Sequence, residues 1–141
     1  MTIDESRAMR GIQIVRVTVA LLIVIHGIAR VSLGIVDDFG LFLAGIGFPI
    51  GGVAAWGVTL FEIVGGAALA FGVQARVISI VLAVELAAGI ALVHLREGWF
   101  VVGAGRNGME YSVLLIACLI AVAYASSGVR AAERERPESN E

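Results

Sequence analysis

Apolar and polar positions in this chain are segregated into long blocks. Four blocks of about 20 residues, at 12–33, 51–73, 76–95 and 108–127, carry few charges. A helix rises about 1.5 Å per residue, so each block is long enough to cross a hydrocarbon layer of roughly 30 Å. A soluble core of this size could not bury all four. The pattern predicts an all-α, integral membrane four-helix bundle. The first block exceeds the 7–15-residue apolar core of a cleaved leader, and no small-x-small cleavage site follows it cleanly, so it reads as a retained span. Residues 37–49 are too short to span, and their Phe and Leu content predicts an interfacial or re-entrant segment between helices one and two, with a plain apolar loop as the alternative. Residues 98–108 form a second outer loop, with Trp99 and Phe100 where an aromatic belt would lie.

Composition supports a lipid environment. Apolar residues make up 59% and charged residues 16%, against about 45–50% and about 25% in soluble domains. That excludes an ordinary cytosolic enzyme. All ten basic residues are arginine and the net charge is -2, so no basic stripe exists to neutralise nucleic acid. Cys118 is the sole cysteine, which rules out an intrachain disulfide, a C-x-x-C redox pair and a thiolate zinc site. Arg7, Arg10, Arg16, Arg76, Arg130, Arg134 and Arg136 fall on one face of the expected topology, and Arg30, Arg96 and Arg106 on the other. Arginine-rich ends stay inside, so both termini are expected in the cytoplasm. Residues 1–129 read as one transmembrane domain and 130–141 as a charged, solvated tail.

Ionisable groups inside the membrane carry the functional information, because each costs roughly 2.5–3.5 kcal/mol on insertion scales unless paired, hydrated or neutralised. His26 lies ten residues beyond Arg16, Glu62 eleven beyond Gly51 and Glu85 nine beyond Arg76, which places all three near mid-depth. A second tier toward the outside holds Arg30, one turn above His26, with His94 and Glu110. Arg30 can reach either tier. These six residues predict a polar pocket in the outer half of the bundle, with His26, Glu62 and Glu85 as proton-handling groups and Arg30, His94 and Glu110 as substrate-binding groups. Gly65 and Gly66 share a helix face with Glu62, and Gly89 shares one with Glu85, so both carboxylates are expected to point inward where small residues let helices approach.

The HGIAR segment from His26 to Arg30, the E-x-x-G-G-x-x-L-x-x-G run from Glu62 to Gly72 followed by Arg76, His94, and the NGMEY segment from Asn107 to Tyr111 resemble the DoxX family in residue type and order. The resemblance implies a multi-pass protein of a bacterial or archaeal plasma membrane. It also implies an association with thiosulfate:quinone oxidoreductase, the complex from which the family takes its name. Members often end helix four with G-x-G-x-x-S-x-D, whereas this chain reads Ser126, Ser127, Gly128, Val129, Arg130, so no role of that aspartate carries over.

These features set several functions in competition. A quinone-linked redox subunit needs proton carriers such as His26, Glu62 or Glu85 beside an apolar slot, with quinone bound near His26 and Glu62. The chain has no electron carrier of its own. Electrons would come from a redox partner protein or from a substrate anion drawn to the outer arginines. A proton-coupled carrier or binder of a small or lipophilic molecule would use the same carboxylates. An assembly subunit would use the buried charges to fix helix register. No metal is expected, and haem is disfavoured because His26 and His94 fall about 12 Å apart along the membrane normal. The glycine faces also suit a homo-oligomer.

Overall fold

A computed structural model describes residues 3–103 and 105–134, with side chains described as far as Ser127. The described residues form five α-helices: α1 (Ile3–Ser32), α2 (Val36–Gly45), α3 (Gly51–Ala70), α4 (Ala75–Leu92) and α5 (Glu110–Arg134), with a 3-10 turn at His94–Arg96 and no strand. Four of them, α1, α3, α4 and the Glu110–Ser127 part of α5, are long and apolar enough to cross a membrane. This is the helical membrane architecture that the blocks predict.

Helix ends differ from the hydropathy blocks where helix-forming polar residues extend them. The N-terminus of α1 lies nine residues before the expected start, with Asp4 and Glu5 in its first turn, where carboxylates oppose the helix dipole. At the other end, α5 runs on to Arg134, so the first part of the expected tail is helical; residues 135–141 lie outside the described residues. Residues 37–49 contain a true helix, α2, which settles the choice against a plain loop. Its ten residues measure about 15 Å, half of what a span needs.

The chain divides into two compact units, one formed by Val17–Val73 and one by Met1–Arg16 with Gln74–Glu141. In the first, α1 and α2 end in the same way. Gly34 and Gly47 take left-handed φ values of 69° and 102°, and the amides around them close backward onto the last turn: Gly34 N–H to Val31, Ile35 N–H to Arg30, Gly47 N–H to Ala44 and Phe48 N–H to Leu43. This pair of bonds satisfies carbonyls that a helix terminus leaves open, and glycine permits it without a Cβ clash. Packing of α2 on α3 is equally dependent on missing side chains. A Cβ on Gly40 would stand 2.8 Å from the Cα of Gly52, and one on Gly51 would strike the carbonyl of Gly40 and the amide of Ala44. Val36, Leu43 and Ala55 then close a small apolar core, with Phe39 and Ala54 against it.

In the second unit, α4 packs on α5 through Ala75, Ser79 and Leu82 against Ser112, Leu115, Leu119 and Val122. Both sets repeat every three or four residues, as one helix face requires. The loop between these helices is folded back on itself. Amides of Gly108, Met109 and Glu110 donate to the carbonyls of Phe100, Gly98 and Trp99.

Candidate functional site

The polar centre of the Val17–Val73 unit arises where apolar stripes of α1 and α3 meet. On α1 the buried positions Ala20, Ile23 and Gly27 recur at helical spacing, and Arg30 continues the line. On α3 the buried positions Ala55, Thr59 and Glu62 do the same. Gly27 sets the distance between the helices: a Cβ there would lie 2.8 Å from Cγ1 of Ile63 and 3.2 Å from Cβ of Glu62. Gly66 plays the same part on α3, where a Cβ would lie 2.8 Å from Cγ2 of Val24.

Across this close contact Arg30 grips Glu62 with both ends of its fork. Nη1 donates to Oε2 at 2.8 Å and Nη2 donates to Oε1 at 3.2 Å, the bidentate geometry that suits a planar guanidinium to a carboxylate. Nη1 also donates to Oγ1 of Thr59 at 2.9 Å, and that hydroxyl in turn donates a hydrogen bond to the carbonyl of Ala55 at 2.7 Å. Phe39 of α2 lies over the guanidinium, with Cζ 4.9 Å from the ring centroid, a placement that adds cation–π attraction. The Arg30 and Glu62 side chains are only 11% and 6% exposed. Three of the five N–H groups of the guanidinium are engaged in these bonds. The result is a fixed cation and a fixed anion, side by side in apolar surroundings.

Of the six residues singled out in the sequence, this cluster joins two, Arg30 and Glu62. His26 is exposed. It sits one position from Gly27, about 100° around the helix, and although it is only about 40° from Arg30 it falls at the exposed edge of the buried stripe. Glu85 is half-buried on α4 and belongs to the second unit, as do His94 and Glu110. Those last two hold the loop between α4 and α5 together. Nδ1 of His94 lies 2.7 Å from the carbonyl oxygen of Asn107, an acceptor, so this nitrogen carries the proton. Oε1 of Glu110 accepts the amide of Val101 at 2.9 Å, and Asn107 takes a left-handed φ of 58°, which asparagine tolerates better than most residues. Thr59 and Phe39 escaped the sequence reading. Thr59 carried a usable signal, because a hydroxyl three residues before a membrane glutamate shares its face; Phe39 carried none.

Four apolar spans, a short helix packed beside the third-helix entry and an internal ion pair define a helical integral membrane protein in contact with lipid. A match to the DoxX family covers residues 11–95, and the chain belongs to that family. The matched stretch contains Arg30, Thr59 and Glu62 and stops before the Asn107–Glu110 loop closure. No curated protein and no solved structure matches the chain.

Proposed function

We propose that this DoxX-family protein is a quinone- or quinol-binding membrane subunit of a thiosulfate:quinone oxidoreductase-like redox system in a prokaryotic plasma membrane, with the Arg30–Glu62 pair as its polar centre. The observation that carries the reading is the bidentate pair itself, held inside an apolar unit under Phe39. A bound quinone would supply two-electron, two-proton redox chemistry. Arg30 suits a ligand carbonyl oxygen, since its guanidinium has two N–H groups beyond the three engaged and part of the side chain is open. Glu62, ionised in the pair, suits a ligand hydroxyl, because a carboxylate accepts more hydrogen bonds than the two that Arg30 makes. Phe39 and the α2 core would keep water from both. Electrons are assigned to a partner protein, because the chain has no cysteine pair or cluster motif.

Mass spectrometry of quinones co-purifying in native-membrane discs tests this. Quinone near one per chain is expected in the wild type and in His26→Ala, and is expected to be lost in Arg30→Gln and Glu62→Gln. Absence of quinone from folded wild-type protein would overturn the reading. A second reading has its own support: three hydrogen bonds tie residues 29 and 32 positions apart, which suits a lock on helix register. The Arg30→Met/Glu62→Met double variant separates the two. A lock alone tolerates that exchange with function intact, whereas a quinone site keeps the fold and loses the quinone.

A further inference from the structure

A groove of about 400 Å³ runs along the α4–α5 pair, lined only by residues of the second unit. Its polarity is graded from one end to the other. Arg76, Ser79, Tyr124 and Ser127 stand toward the end where α4 begins, and beyond them the lining, Ala83 and Ala87 included, is apolar. From Arg76 to Ala87 the groove follows eleven residues of helix, about 16 Å. One leaflet of a bilayer has a hydrocarbon depth of about 15 Å, half of the roughly 30 Å total. The groove therefore has the reach of a single acyl chain rather than of a spanning partner helix.

Two polar features show what the head of such a chain would carry. Arg76 is exposed and makes no hydrogen bond or ion pair with any of the side chains described, which end at Ser127. Ser79, one turn deeper on the same face, is 0% exposed, lines the groove, and its hydroxyl has no hydrogen-bond partner. A buried hydroxyl without a partner costs about 1–3 kcal/mol. Helical serine ordinarily relieves that cost by bonding to the preceding turn, as Ser126 and Ser127 do here with Val122 and Ala123. Ser79 does not. A cation at the membrane edge with an unpaired hydroxyl about 4.5 Å deeper matches the succession of phosphate and glycerol ester in a phospholipid. Tyr124, 83% exposed at the same end, is an amphipathic ring of the kind that sits at headgroup level.

We infer that the α4–α5 groove is a binding site for an anionic phospholipid, with its phosphate on Arg76, its ester region against Ser79 and one acyl chain along Ala83 and Ala87. The test is native mass spectrometry of the purified full chain, titrated with phosphatidylglycerol and phosphatidylethanolamine of identical acyl chains. Wild type is expected to retain the anionic lipid about fivefold better, the effect of one arginine at a membrane surface. Arg76→Gln is expected to abolish that preference, and Ala87→Phe to lower retention of both lipids by filling the groove. Ser79→Ala gives a readout of opposite sign: the delipidated protein melts at an equal or higher temperature, because the orphan hydroxyl is gone, while lipid raises its melting temperature less than it does for wild type. Equal retention of the two lipids by wild type, or a preference that survives Arg76→Gln, overturns the inference. So does a groove occupied by quinone or by a second copy of the chain.

Discussion

Glu62 is the residue on which the interior of the first unit depends, because its charge is tolerable only while Arg30 holds it. Removing one member of a buried pair leaves the other uncompensated and costs about 3–5 kcal/mol, whereas replacing both by apolar groups of similar volume is often neutral. Thermal melts in detergent are therefore expected to fall sharply for Arg30→Gln and for Glu62→Gln, and to recover most of the loss in Arg30→Met/Glu62→Met. Thr59→Val removes one hydrogen bond and is expected to cost only about 1 kcal/mol in the same assay. The sequence made Glu62 conspicuous, since an acid in the middle of an apolar run has to be explained. Its partner was less legible. Spacing along α1 placed Arg30 and His26 together at i and i+4, yet the buried stripe runs through Ile23 and Gly27, and only the tertiary approach of α3 shows which of the two turns inward.

At the scale of elements, the position of α2 rests on backbone meeting backbone. Gly51→Leu would drive a side chain into the Gly40 carbonyl and the Ala44 amide, so α2 is expected to detach. Hydrogen exchange across Val36–Gly45 is expected to accelerate while α4 and α5 stay protected. The loop between α4 and α5 makes a contrasting case. Asn107→Gly keeps the left-handed backbone and is expected to be neutral, whereas Asn107→Val forces a β-branched residue into that region and is expected to destabilise the loop closure, read as faster exchange of the Val101 amide. The starts of α3 and α4 were legible to within one residue, whereas both helices end three residues before their apolar blocks do, α3 at a turn where Gly72 takes a left-handed φ of 81°. The start of α1 was not, since hydropathy marks where a helix enters lipid and is silent about a polar extension such as residues 3–11. Existence of α2 was undecidable from its composition alone, because a short, largely apolar stretch serves a loop and a helix equally well.

For the whole molecule, the apolar windows of the four spans are only 17–33% buried within the chain, and the remaining faces are left to lipid. Such a protein is expected to remain in the membrane pellet through an alkaline carbonate wash. An even number of spans returns the chain to the side on which it started, so reporter fusions at the two termini are expected to give the same compartment signal, and the arginine distribution predicts that signal to be cytoplasmic. The span count was readable from hydropathy, whereas the grouping of the helices into two units was not, since hydropathy carries no information about which helix faces which. The Arg30–Glu62 bond has a further consequence for how the chain is made. Its partners are separated by 32 residues, about 2–6 s of synthesis at 5–20 residues per second. The span that carries the cation is therefore made seconds before the acidic one, and the counter-ion that α3 needs in lipid is supplied by the segment before it.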